Sequence, residues 1–256
     1  MKAGAVIVTY NNEETLAECI KSIRSNGITD ITVVDNASTD TSLQVAKARN
    51  VACLAQPENY GFAVAANTGA KRLACDYLLF LNPDAKLAEG TLASAWQYLA
   101  THSQVGALGL ALYSAQGIRE HTSYGSRITP WSLITRHLLP RHFPSQPLRV
   151  GWVSAAAMIV NSKALQQIGG FDPQFFLYWE DVDLCQRLQR SNWEVVLLPH
   201  ACAIHRRGIS LPDRIRKTAL YDESADKYFR KHYPAVIWRW QRSLRSLYRL
   251  FSPRVD

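Results

Sequence analysis

Short apolar runs alternate with amphipathic segments through the first hundred residues. Residues 4–10 (GAVIVTY), 31–35 (ITVVD), 51–56 (VACLAQ) and 77–81 (YLLFL) read as strands, the last of them apolar on both faces. Between them the spacing turns helical. In 13–25 the apolar residues fall at Leu16, Cys19, Ile20 and Ile23. Asp40 stands where it would cap a helix running to about residue 49, and residues 62–74 and 89–102 carry two more helices. Strand–helix alternation with short loops implies an α/β fold, a mostly parallel sheet flanked by helices. Sheets of that kind bind ligands beyond the carboxyl ends of their strands. Polar residues stand at all four ends: Thr9, Tyr10 and Asn11; Asp35 and Asn36; Asn59; Asn82 and Asp84.

The pattern then loosens. Residues 103–160 read as strands and long loops, with 129–147 punctuated by Pro and His. Residues 152–160 (WVSAAAMIV) read as one buried strand. Residues 162–168 read as a short helix capped by Ser162 and closed by Gly169. From about 214 the chain is helical and basic. The expected division is a main domain over 1–210 and an extension over 211–256, with the boundary near 206–213.

Charge sharpens that division. Residues 1–205 hold as many basic as acidic residues, sixteen of each, whereas 206–256 hold thirteen basic and five acidic, which is the whole net charge of +8. Within the extension, Ile237, Trp240, Leu244, Leu247 and Phe251 share one helical face, opposite Arg242, Arg245 and Arg249. Such a helix suits an anionic membrane surface, or packing on the domain or another subunit. Nucleic acid is not expected as a partner, because the charge is confined to the tail and no binding motif accompanies it. The sequence has no apolar run long enough to span a membrane. The N-terminus reads as a first strand rather than a signal segment. Five scattered cysteines without CxxC pairing read as reduced thiols in a cytosol. The expected location is therefore cytoplasmic, with peripheral contact on the inner face of the membrane through the tail.

Several residues carry candidate chemistry. In LFLNPDA, Asp84 follows a strand end, where a carboxylate either binds a divalent cation or a hydroxyl, or simply closes an Asn-Pro-Asp turn. Asp35 and Asn36 either form an Asx-turn, or Asp35 accepts from a pyrimidine ring or ribose. In NYGFAVAANTGA, Gly61 permits an unusual backbone, Gly69 permits close packing, and Asn59 and Asn67 stand at the two ends of the segment. The chain lacks GxGxxG and P-loop patterns, which removes the best support for nicotinamide or ATP chemistry. In GGFDPQFFLYWEDVDLCQRL, Glu180, Asp181 and Asp183 open a helix after an aromatic run. Acids in a first turn favour the helix dipole, but the aromatic setting would also raise a carboxylate's proton affinity and suit Asp181 to general base work. His200 and His205 follow; His205 gains meaning if it meets Asp84, since the two together would hold a metal.

VTYNN, VVDNASTD, NYGFAVAANTG, FLNPDA, GGFDPQFFLYWEDVDLCQRL and HRRG occur here in the order and spacing of glycosyltransferase family 2. Over about residues 3–210 the chain resembles that family, and most of all its rhamnosyltransferase branch. The resemblance implies a GT-A fold, a nucleotide-sugar donor (dTDP-rhamnose in that branch), a divalent metal (Mg2+ or Mn2+) and inversion at the sugar carbon. It implies a saccharide acceptor carried on a polyprenyl diphosphate, in cell-surface polysaccharide synthesis. Thr9, Tyr10, Asn11, Asp35, Asn36, Asn59, Gly61, Asn67, Asn82 and Asp84 would then border the nucleotide sugar. Asp84 and His205 would hold the metal, Asp181 would be the base, and Trp179 and Glu180 would meet the acceptor. Asn82 departs from the DxD metal motif by replacing its first acid, although that branch often reads NPD. The alternatives are a transferase for another nucleotide hexose and a non-catalytic nucleotide- or carbohydrate-binding module of the same fold.

Overall fold

A computed structural model describes residues 1–120, 123–129, 143–206 and 214–251, the side chains of 214 and 244–251 excepted. Four strands follow the expected pattern: β1 (Ala3–Thr9), β2 (Ile31–Asp35), β3 (Ala52–Ala55) and β4 (Tyr77–Leu81). Helices α1 (Leu16–Ser25), α2 (Ser42–Ala48), α3 (Phe62–Arg72) and α4 (Thr91–Thr101) lie between and after them. β3 pairs with β2, β2 with β1 and β1 with β4, all parallel. Each β4 residue is buried, because alternate side chains enter different layers. Leu79 and Leu81 join Leu16, Ile20, Leu92 and Leu99 on one face. Leu78 and Phe80 join Ala63, Ala66, Phe171 and Leu184 on the other.

The rest of the sheet is mixed. β5 is Ala85–Leu87, β6 Val105–Tyr113, β7 Tyr124–Gly125, β8 Leu148–Arg149, β9 Trp152–Val153, β10 Ala157–Asn161 and β11 Glu194–His205. Among the described residues, nine strands form one sheet, with β8 paired to β11 beside the path β3-β2-β1-β4-β10-β6-β11-β5. β10 runs antiparallel between β4 and β6, while β11 runs parallel to β6 and antiparallel to β5.

Three local expectations are corrected. The stretch 152–160 is not one strand: β9 pairs with β7 in a separate small sheet, and β10 enters the main one. The break at 154–156 turns the Ala155 N–H towards Asp181. The cap of α5 (Ser162–Gln167) is Asn161, whose Oδ1 accepts from the N–H groups of Lys163 and Ala164, and Ser162 is already helical. α2 begins after Thr41, and Asp40 supports it from just outside by accepting from the Ser42 N–H at 2.9 Å.

α6 (Glu180–Arg190) and α7 (Arg214–His232) close the far side, and α8 (Ala235–Phe251) follows. α7 is docked rather than free. Ala225, Tyr228 and Phe229 are buried against Phe175, Trp179 and Val182. Asp183, fully buried, meets Arg187 Nε at 2.7 Å, Lys231 Nζ at 2.7 Å and His232 Nε2 at 2.8 Å. Burial works against that charge, but His232, Arg187 and Lys231 outweigh it and hold the Asp183 carboxyl down at about 2. The boundary expected near 206–213, most of the Pro- and His-punctuated stretch and the distal half of the amphipathic face fall outside the described residues or side chains.

Candidate active site

A cleft of about 600 Å³ opens at the carboxyl ends of β1, β2 and β4. It is lined from the sequence-selected set by Tyr10, Asn36, Asn59, Gly61, Asn82, Asp84, Trp179, Glu180, Asp181 and His205. Residues remote along the chain therefore share one cavity.

The loops after β2 and β3 build one wall. Asn36 Nδ2 donates to Asn59 Oδ1 at 2.8 Å and to the Gly61 carbonyl at 3.2 Å. Asn59 Oδ1 also accepts from the Gly61 N–H, and Asn36 Oδ1 from the Tyr60 N–H. Gly61 has φ +82°, and a Cβ there would lie 2.3 Å from the Phe176 carbonyl oxygen. That carbonyl instead accepts from the Phe62 N–H at 2.8 Å, so the missing side chain lets α3 dock on the segment before α6.

Thr9, Asn11, Asp35 and Asn67 are not among the residues lining the cleft. Asn11, at φ 56°, accepts with Oδ1 from the Thr39 and Asp40 N–H groups and so orders the loop after β2. Asp35 Oδ2 accepts from the Ser38 N–H, while Asp35 Oδ1 and Thr9 Oγ1 are buried without a partner among the described residues. Asn67 is engaged with the chain itself. Its amide is a two-way latch on Phe171, donating to the carbonyl at 2.7 Å and accepting from the N–H at 2.9 Å.

The β4 turn meets β11 through strand register. β11 pairs with β5 so that His205 lies opposite Ala85, the residue after Asp84. His205 Nε2 is 3.3 Å from Asp84 Oδ1 and 3.4 Å from Asn82 Nδ2, across 123 positions of sequence in the second case. Glu120 completes the arrangement from the other side, its Oε2 3.5 Å from His205 Nδ1. Burial opposes a charge on His205, but hydrogen bonds to Asp84 and Glu120 outweigh it and lift its pKa to about 9. Glu120 lines the cleft and was missed in the sequence, where it is a single acid in an irregular stretch. His200 is exposed and lies outside the cleft.

A carboxylate and an imidazole at 3.3 Å, both facing the cavity, are a donor pair that fits Mg2+ or Mn2+ when the imidazole gives up its proton to the solvent and ligand oxygens complete the shell. No group of three His, Cys, Asp or Glu side chains among the described residues forms a metal site by itself. The remaining ligands to such an ion would come from the bound substrate and water.

The third constellation sits at the start of α6. Tyr178 and Trp179 both have φ 67°, a left-handed turn that non-glycine residues adopt at a cost. It brings Glu180 and Asp181 to the cleft, whereas Asp183, two residues on, faces the opposite side of the helix and the α7 ion cluster. Asp181 accepts from the Ala155 N–H at 3.2 Å and the Val182 N–H at 2.8 Å. Burial raises its pKa against those bonds, and burial together with the Asp181 charge raises Glu180 well above the usual carboxylate range. Glu180 Oε2 and Trp179 Nε1 are buried without partners among the described residues. The Trp179 ring packs on Tyr221, Tyr228 and Phe229, so it anchors α7 as well as lining the cleft.

Comparison with known proteins places these features. Residues 5–167 match the family described as "Glycosyl transferase family 2". The chain is 29% identical over 236 residues to the N-acetylglucosaminyl-diphospho-decaprenol L-rhamnosyltransferase of Mycobacterium tuberculosis, covering 80% of this chain and 76% of that one. It is 27% identical over 138 residues to the rhamnosyltransferase WbbL of Escherichia coli, covering 51% of this chain and 52% of that one. Among solved structures, the mannosyltransferase PcManGT of Pyrobaculum calidifontis, in complex with GDP-Man and Mn2+, superposes with a TM-score of 0.63 at 19% identity, over 95% of this chain and 69% of that one. GalNAc-T7, with UDP, GalNAc and Mn2+, superposes with a TM-score of 0.65 at 14% identity over 90% of this chain, which spans half of that longer one. These structural likenesses carry the fold, a GT-A glycosyltransferase architecture.

Proposed function

The chain belongs to glycosyl transferase family 2, and from that premise we propose that it moves L-rhamnose from dTDP-rhamnose to a hydroxyl of a lipid-diphosphate-linked saccharide, with inversion. The observation that carries this reading is the convergence of Asp84, His205 and Asp181 on one cleft. The choice of rhamnose is supported by the names of the mycobacterial and E. coli relatives, and that of a polyprenyl-linked acceptor by the mycobacterial one. A divalent ion is supported by the Mn2+ of the two solved neighbours and by the Asp84–His205 pair.

In this mechanism Asn36, Asn59 and Gly61 border the nucleotide, in a wall whose hydrogen bonds are already made before the ligand arrives. Asp181 takes the proton of the acceptor hydroxyl at its carboxylate as the hydroxyl oxygen attacks the anomeric carbon. The bond from that carbon to the diphosphate breaks on the opposite face, and its electron pair leaves with the diphosphate. The raised proton affinity of Asp181 makes it a stronger base than an exposed aspartate. Its two backbone hydrogen bonds hold the carboxylate in place. An ion held by Asp84 and His205 would supply Lewis-acid stabilisation of the charge on the departing diphosphate. A single displacement needs one carboxylate base rather than the acid pair of a glycosidase.

Among the described residues no helix is long and apolar enough to cross a membrane. Access to a lipid-linked acceptor is assigned here to peripheral contact through the basic tail, with its exposed Trp240 and Val236. The test is a screen of purified protein and Mn2+ against dTDP-rhamnose and other nucleotide sugars, with a prenyl-diphosphate-linked N-acetylglucosamine as acceptor, scored by chromatography. Transfer from dTDP-rhamnose is expected. Preferential transfer from another donor replaces the sugar assignment, and nucleotide binding without any transfer makes the protein a binding module.

A further inference from the structure

The described anchors of α7 are concentrated between Ser224 and His232. Ser224 Oγ donates to the Leu177 carbonyl at 2.8 Å, Lys227 Nζ to the Gln174 carbonyl at 2.9 Å, and Tyr228, Phe229 and His232 are seated as described above. The earlier turns extend over the cleft, where Arg216, Lys217 and Tyr221 join its lining. Lys217 is half-buried there. Tyr221, one helical turn on and on the same face, lies 5.5 Å from the ring of Trp179, the residue before Glu180 and Asp181.

Charge gives that placement a purpose. Four carboxylates line the cleft: Asp84, Glu120, Glu180 and Asp181. A diphosphate ester brings about two further negative charges into a confined, partly desolvated space, where repulsion is strong. Among the described residues, the arginine and lysine side chains lining the cleft are Arg216 and Lys217. Lys217 sits one turn before Tyr221, whose ring meets Trp179, two residues before Asp181.

We propose that Arg216 and Lys217 form a diphosphate-binding wall, so that α7 is a working part of the site. This rests on the glycosyl-transfer reading above. A diphosphate reaches the cleft from two sources: the nucleotide donor, and the link between an acceptor sugar and its lipid carrier. Arg216 and Lys217 bind it as charge-assisted donors.

The test uses the full chain, the double variant Arg216→Ala/Lys217→Ala and the single variant Lys217→Arg. Calorimetry measures dTDP and UDP binding with Mn2+. Kinetics compare an aryl glycoside acceptor with the same sugar on a prenyl diphosphate. If the donor is the source, the double variant raises the nucleotide Kd and the donor KM about tenfold with either acceptor. If the carrier is the source, nucleotide binding is unchanged and the acceptor KM rises about tenfold for the diphosphate-linked acceptor alone. In either case Lys217→Arg, which keeps the charge, loses less than the double variant. Unchanged constants in the double variant overturn the proposal, and so does an equal loss in Lys217→Arg. A parent that transfers no sugar defeats the glycosyl-transfer reading instead, and the nucleotide-binding arm still reads the wall.

Discussion

On the wall made by the loops after β2 and β3, neutral amides answer one another. Asn36 and Asn59 share hydrogen bonds with the Gly61 backbone, and Asn11 ties down the loop after β2. The other wall, from the segment Phe175–Asp183 and the described part of α7, is made of aromatic rings and buried carboxylates. Asp181 and Glu180 are both raised by burial there, and Asp183 is held down by three cationic or protonatable partners. The contrast is one of physical cost. A buried amide with its partners in place costs little and stays neutral, so it can shape a surface. A buried carboxylate is expensive and either gains partners or gains proton affinity. The first wall positions a ligand; the second has the means to move a proton.

The comparison breaks most visibly at Asp181. Asp181→Asn keeps the shape and removes the base, so the transfer rate is expected to fall about 100- to 10,000-fold. Binding of dTDP with Mn2+, measured by calorimetry, should stay near the parent value; an active Asn variant removes Asp181 from the mechanism. Asp183→Asn tests the structural acid of the same helix. It removes the carboxylate shared by Arg187, Lys231 and His232 and leaves Lys231 with Asp172, and the loss of stability in denaturant titration is expected to be about 3 kcal/mol.

The same carboxyl sets an acid limit. Its pKa is lowered from the ordinary 3.8 to about 2, so its stabilising contribution is complete above pH 4 and is lost as pH falls through 2. In Asp183→Asn that portion of the acid dependence disappears from the unfolding curves.

Glu120→Gln sharpens the picture of the β4–β11 junction. An outer carboxylate that orients a metal-bound imidazole is worth about 10- to 100-fold in metal affinity. Mn2+ titration followed by electron paramagnetic resonance should show a loss of that order. The smallest effect is expected at Asn67. Removing its latch on Phe171 in Asn67→Ala should cost about 1–3 kcal/mol of stability, with nucleotide affinity preserved. A selective loss of nucleotide affinity would return Asn67 to the donor wall.

Much of the first wall was legible from sequence because the rule linking parallel strands to ligand sites acts locally. Each strand ends next to its own polar residues, and β2 and β4 fall on their expected residues. The β4–β11 junction was legible only through the family resemblance, since no spacing pattern announces that His205 pairs opposite Ala85. Glu120 had no signal of either kind. The three acids of α6 were separable in principle: Asp181 and Asp183 are about 200° apart on a helix and cannot face the same way. What hid the answer is that two of Asp183's partners, Lys231 and His232, come from α7, in the segment read as a basic extension. The aromatic run likewise gave away dryness but not direction, so Trp179's role as a seat for α7 was invisible.

One rod, α7, is bolted down over its later turns and reaches over the opening with its earlier ones. Selection can therefore rewrite the overhang while leaving the bolts alone. Recognition of what enters is free to diversify among descendants of this chain at no expense to the foundations beneath it.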